Sequence, residues 1–218
     1  MRMSEPRPAP VFVTGAPALD FLNSVAVPVD TEVEWLGSGE DLLDWLEHAG
    51  LVQSDVLQDM RRTAGPGELD AVAAQARALR EWFRGFVVKH RGHRLTRKAI
   101  NQLEPLNRLL ARDEEFGQIA PRPMRGRARD AASDLEWVPL RRWRSPDALL
   151  LPIARAMADL LATADFTYVK ACEWHSCTLH FFDTTRGHKR RWCSMSVCGN
   201  RAKQAAHRDR LTRTKKKN

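Results

Sequence analysis

Four cysteines, the only four in the chain, fall within its last fifty residues as two matched pairs. Cys172 and Cys177 form one C-x4-C, Cys193 and Cys198 a second, with fifteen residues between them. Each pair brings two thiols to one centre, and the intervening segment is long enough to return the second pair to the first. Four thiolates supply the tetrahedral sulfur shell that Zn2+ accepts without geometric penalty, so the pattern predicts one Zn2+ per chain. The usual finger spacing is C-x2-C, and the four-residue gap departs from it. An iron–sulfur cluster is the other metal reading of four cysteines. Disulfides suit a secreted chain, but the polar, Pro-rich stretch from Met1 to Pro10 does not read as a signal peptide. Reduced cysteines favour a cytoplasmic location.

Charge divides along the same line. From Tyr168 to Asn218 there are 13 Lys or Arg against 3 acids, a net of +10; the whole chain is +8, which leaves −2 for residues 1–167. A small basic module beside a near-neutral larger one points to a polyanionic partner, most often nucleic acid. Lys215, Lys216 and Lys217 also fit a solubilising tail. Thr178 to Asp183 reads as a strand, Thr184, Thr185 and Gly187 as a turn, and Lys189 to Trp192 as the returning strand. A helical run follows to about Leu211, with Ser194 or Ser196 as its cap. Hairpin plus ligand-bearing helix start is a treble-clef-like arrangement, and the helix N-terminus favours thiolates at the second pair. Asn200, Lys203, His207 and Arg210 share one helix face, flanked by Arg201 and Arg208. Such a face fits either base readout in a major groove or phosphate contact alone. Arg186, Lys189, Arg190 and Arg191 add cations on the expected hairpin, and Asp183 with Arg186 is expected to brace its turn. His175, His180 and His188 are expected to support the metal ligands or contact phosphate without ligating the metal, and Trp174, Phe181, Phe182 and Trp192 to form the finger's small core.

The stretch Val169-Lys170-Ala171-Cys172, with Cys177, Phe182-Asp183-Thr184-Thr185-Arg186, Arg190-Arg191-Trp192-Cys193-Ser194-Met195 and Cys198-Gly199-Asn200-Arg201-Ala202-Lys203, strongly resembles the CGNR zinc finger. That finger is named for the tetrad that stands here at Cys198 to Arg201. In that family it follows an N-terminal ABATE domain, and the whole is taken to be a stress-induced transcription regulator. Ala18-Leu19-Asp20-Phe21-Leu22-Asn23-Ser24 is similar to the ABATE Leu-Asp-Phe-x-Asn-Thr, with Ser24 in place of Thr. The resemblance implies a zinc-dependent DNA-binding regulator. The organisation expected is a flexible N-terminus over 1–14, an ABATE-like domain over 15–166, the finger over 167–211 and a basic tail over 212–218.

The first 167 residues read as mostly helical, so the fold class expected is mainly α (α+β), a helical domain with a few short strands plus the small finger. Leu19 to Val25 reads as a short strand or a helix start. Ser38 followed by Asp41 marks a capped helix to Ala49, and Ser54 opens another through Met60. Gly65-Pro66-Gly67 precedes a long helix from Glu68 to His90, where Val72, Ala76, Leu79, Phe83 and Phe86 recur at helical spacing. Ala99 to Leu110 reads as a helix interrupted by Pro105, residues 117–130 as an exposed basic loop, and Leu135 to Trp143 as a strand. Ala148 to Ala164 carries a core stripe of Leu150, Ile153, Met157, Leu160 and Ala164; Pro152, Arg155 and Asp159 interrupt it too often for a membrane span.

None of the common catalytic motifs occurs, and no enzyme is expected. Asp20 and Asn23, polar in an apolar stretch, are the local hint of a small-molecule effector site; the bland alternative is a cap or turn contact. Three functions remain: a duplex-DNA-binding regulator whose N-terminal part senses a ligand or dimerises, an RNA-binding module, and a protein-interaction module.

Overall fold

The computed structural model describes residues 8–12, 15–27, 31–122 and 134–215. Pro17 opens the first helix, α1 (Pro17–Leu22), where its missing N–H costs nothing, and five of the six residues are buried. The next two strands, β1 (Val25–Ala26) and β2 (Val33–Glu34), pair antiparallel. The second helix, α2 (Gly39–His48), starts as read: Ser38 Oγ accepts from the Asp41 N–H at 3.2 Å, and Asp41 Oδ2 accepts from the Ser38 N–H at 3.0 Å. It is followed by α3 (Ser54–Thr63) and by α4 (Glu68–His90), whose bounds match those expected. Pro105 divides the next expected helix into a short 3-10 segment, Arg97–Gln102, and α5 (Glu104–Leu110).

Residues 117–130 depart from the expected loop. Gly117 to Pro121 belong to β3 (Glu115–Pro121), which pairs antiparallel with β4 (Leu135–Arg141) in register Gln118↔Val138; the rest of the expected loop from 123 onward lies outside the described residues. Neither strand has a buried face, so no apolar alternation announced β3. A short 3-10 turn, Pro146–Leu149, leads into α6 (Leu150–Thr163), with Leu150, Ile153, Met157 and Leu160 buried and Ala164 half-buried just beyond its end.

α1 lies against α4 and α6, and α2 against α4. The core between them holds Phe21, Trp45, Phe83, Ile153 and Phe166, and it is continuous with the cysteines near the C-terminus. Among the described residues no helix is long and apolar enough to cross a membrane. The fold is mainly α with short antiparallel strand pairs, and ends in a cysteine-bearing hairpin and a last helix.

Candidate metal centre and its anchorage

The C-terminal hairpin is built differently from the one expected. Its strands, β5 (Val169–Ala171) and β6 (His180–Phe182), lie before and after the first cysteine pair, in register Lys170↔Phe181. Cys172 and Cys177 therefore sit at the hairpin tip, where the Cys172 N–H donates to Leu179 O and the Cys177 N–H to Trp174 O, both at 2.9 Å. Lys189 to Trp192 is no strand. It runs beside the hairpin as a strap, held by the Glu173 N–H on Arg191 O at 2.9 Å and by Lys170. The strap delivers Cys193. A turn of π-helix, Met195–Gly199, then carries Cys198 into α7 (Asn200–Lys215). Ser194 precedes that turn but does not cap it, because its Oγ pairs with Ser196 Oγ at 2.7 Å.

The four sulfurs lie within 4.8 Å of one another, with Cys177 to Cys193 at 3.8 Å and Cys193 to Cys198 at 3.6 Å. A tetrahedron of Zn–S bonds of about 2.3 Å has edges of about 3.8 Å, so the separations fit one zinc ion and no disulfide. All four thiols are free and at most 9% exposed. The Cys193 N–H points at Cys172 Sγ at 3.4 Å. Their protons show what the cluster needs. Hydrogen bonds from Cys177 and Cys193 hold Cys172 low, as the thiolate, and the same contacts push Cys177 and Cys193 up. Burial raises Cys198 as well. Without a cation the four buried sulfurs oppose one another's ionisation, so they cannot all be thiolates at once. A divalent ion removes that conflict by ionising all four.

Asp183, fully buried, joins the hairpin to the strap. Its Oδ2 accepts from Lys170 Nζ at 2.7 Å and the Arg190 N–H at 2.9 Å, its Oδ1 from Thr185 Oγ1 at 2.6 Å and the Thr185 N–H at 3.1 Å. Burial alone would raise its pKa, but these donors hold the carboxyl well below the usual range. Lys170 Nζ also caps His188 O at 2.6 Å. The brace expected from Arg186 comes instead from Lys170, because Arg186 is exposed beyond the turn. Arg190 turns inward: its guanidinium lies 4.3 Å from the Phe181 ring centre and donates to Trp192 O and Cys193 O. Arg191 stays outside, bonded to Glu173 at 2.6 Å. Arg186 and Lys189 are exposed, as are Asn200, Lys203, His207, Arg208 and Arg210 on α7; Arg201 is half-buried. None of the three nearby histidines joins the sulfur cluster. His188 stacks on Tyr168, His175 is exposed, and His180 is buried on β6. Phe181 is fully buried, and Trp174, Phe182 and Trp192 are partly buried against the core that the finger shares with the helical body, not in a small core of the finger's own.

A model of the ABATE family, described as "Putative stress-induced transcription regulator", matches residues 15–164, and a CGNR zinc finger model matches residues 168–211. The chain belongs to the ABATE family. No curated protein matches it. The ABATE stretch around Asn23 is where the family's two parts meet in this protein. Asn23 Nδ2 donates to His180 O at 2.8 Å, and Asn23 Oδ1 accepts from the His180 N–H at 2.9 Å. One side chain thus completes the outer edge of β6. Thr178 Oγ1 accepts from the Val27 N–H at 3.0 Å beside it. Asp20 is buried on α1.

Ser24, the residue in the position of the family's Thr, serves a second network. Its Oγ meets Arg80 at 3.0 Å, and Arg80 forks onto Glu34 at 2.8 and 2.6 Å and onto Glu81 at 2.9 Å. Arg80 is 3% exposed on the apolar face of α4. Burial works against its charge, but the two carboxylates raise its pKa, and it in turn lowers that of Glu34. Sequence reasoning missed the parts that Arg80 and Lys170 play, and it placed His180 beside the metal without foreseeing its bond to Asn23. A charged residue at helical core spacing, between Ala76 and Phe83, was the available signal for Arg80.

Proposed function

We propose that this protein is a zinc-dependent, duplex-DNA-binding transcription regulator. Zinc on Cys172, Cys177, Cys193 and Cys198 orders the finger, α7 enters or lies along a groove, and the helical part senses a ligand or mediates dimerisation. The observation that carries this reading is α7: Lys203, His207, Arg208 and Arg210 stand exposed on the helix that leaves the sulfur cluster. Its first turn holds no acid. A cation-rich helix held by a metal knuckle is suited to phosphate contact, with Asn200 and Arg201 nearest the knuckle. Arg186, Lys189 and Arg191 would add phosphate contacts from the turn and strap, while Arg190 is occupied within the finger. One finger offers few base contacts, which favours a dimer on the DNA. The reading assigns the protein to the cytoplasm, where its thiols stay reduced, and gives it no catalytic role.

The test is affinity for random-sequence duplex DNA against salt concentration, on zinc-loaded protein and after chelation. Each lost phosphate contact should lower the salt slope by about 0.9. The double variant Lys203→Ala/Arg208→Ala should therefore bind more weakly with a slope reduced by about 2, and keep its zinc. Affinity that survives chelation, or that the double variant leaves unchanged, overturns the reading. Retention on structured RNA in preference to duplex DNA would redirect it to an RNA-binding module.

A further inference from the structure

Between the helical body and the finger lies a cleft of about 660 Å3, walled by β1, β2 and α4 on one side and by Ala171, Cys177, Thr178 and His180 on the other. Most of its charges are already matched. Arg80 is taken by Glu34 and Glu81, and Arg84 by Glu81 and Leu22 O. Two groups are left. His180 is 7% exposed, and neither of its ring nitrogens has a hydrogen-bond partner. Arg91, just past the end of α4, has no side-chain hydrogen bond or ion pair among the described residues, and its Nε is buried. Glu32, exposed on β2's approach, is the remaining acid at the cleft.

Burial, with the nearby charges of Arg91 and Arg84, pushes the His180 ring down to about 4. At neutral pH it is an uncharged imidazole with one donor and one acceptor nitrogen. Arg91 and His180 line the same cleft, and a guanidinium N–H and an imidazole N–H buried at its wall, each without a protein acceptor, are together complementary to an oxyanion. A polar side chain on a hairpin strand is normally turned to solvent or bonded; here both donors are withheld from the protein around them.

We propose that this cleft binds a small molecule presenting an oxyanion, a carboxylate or a phosphate, to Arg91 and His180. The ligand bridges α4 to β6, three residues after Cys177, and so ties occupancy of the helical body to the set of the finger. Binding itself stands apart from DNA recognition; only its role as a regulatory signal rests on the function proposed above.

The experiment is a titration of the zinc-loaded full chain with inorganic phosphate and, separately, with succinate, at constant ionic strength. The Arg91 Nε and His180 ring nitrogen resonances are followed, because general anion binding to α7 leaves them unmoved. The expected result is a saturable shift of both resonances with one probe, weakened at least tenfold in the Arg91→Gln variant. Saturation by phosphate alone identifies a phosphate ligand, and by succinate alone a carboxylate. Arg91→Lys, which keeps the charge but lacks the Nε fork, serves as the second variant if R91Q does not fold, and should weaken binding likewise. Absence of a saturable shift with either probe, or binding equal to the parent in the variants, overturns the proposal. A chain that bound phosphate or succinate here but no DNA would keep the site and lose the regulatory reading; one that bound DNA but neither probe would do the reverse.

Discussion

Two glycines separate what space demands from what it does not. A Cβ on Gly39 would lie 2.4 Å from Leu69 Cβ and 2.7 Å from Leu69 C, because the start of α2 is pressed against the start of α4. Backbone cannot yield as a side-chain tip can, so Gly39→Ala should destabilise the protein by about 2 kcal/mol or more. A Cβ on Gly199, inside the Cys-Gly-Asn-Arg tetrad, would crowd Met195 Sδ at 2.7 Å and Cε at 3.1 Å, and would touch Ser194 O at an ordinary 3.6 Å. Met195 is half exposed and unbranched, and can swing away. Gly199→Ala should therefore keep its zinc and change stability by no more than about 1 kcal/mol, as helix propensity offsets the shift. Denaturant midpoints and metal content on both variants check the contrast. Asp183 offers a test in pH. Removing its charge leaves Lys170 without its carboxylate and should cost about 3 kcal/mol near neutrality. Because the folded carboxyl is held low, its contribution is complete above the unfolded value near 4 and fades as pH falls below it. The stability gap between parent and Asp183→Asn should be flat above about pH 5 and shrink below about pH 4. A gap that widened in acid would contradict the donor set around Asp183.

At the scale of elements, what the sequence disclosed is what local chemistry decides. The Ser38–Asp41 capping pair and the apolar spacing of α4 act within a few residues, and both were legible. The cysteine pairs were legible for the same reason, since each brings two ligands together over five positions. What was hidden depends on distant partners. Lys189 to Trp192 resembles a strand, yet Arg190 O accepts from Lys170, Trp192 O from the Arg190 guanidinium, and Asp183 takes the Arg190 N–H, so the segment does not join the ladder. β3 has no inner face and therefore no alternation to read. Arg80 was hidden among α4's core positions because its partners, Ser24 and Glu34, lie 56 and 46 residues away. That network binds α4 to β2 and to the chain after α1. Arg80→Ala leaves the Glu34 carboxylate half-buried and unpaired and should cost about 3–5 kcal/mol, whereas Arg80→Met, which refills the space, should cost less. Equal losses in the two variants would mean that Arg80 serves by its charge alone and not by its bulk.

For the whole molecule the question is whether the finger is an appendage or part of the body. The buried core runs without a break from α1 to Cys198, and Asn23 completes β6 from a helix 157 residues earlier in the chain. A structural zinc contributes about 10 kcal/mol or more to the folding of isolated fingers. Each of the two Asn23 hydrogen bonds contributes about 1 kcal/mol, and losing Asn23 strands two backbone groups that are costly to leave unpaired. The metal is therefore expected to hold β6 in place, and with it the partner of Asn23. Chelation should loosen more than the finger. Amide exchange should speed up across β5 and β6, and also through residues 22–27, while α3, remote from β6, should keep its protection. In Asn23→Ala the exchange of residues 22–27 should become insensitive to chelation while the protein still takes up one zinc. If chelation leaves residues 22–27 protected in the parent chain, the finger folds and unfolds independently. In that case a ligand held between α4 and β6 would have no mechanical route to α7, and any regulation would have to act by bringing two chains together.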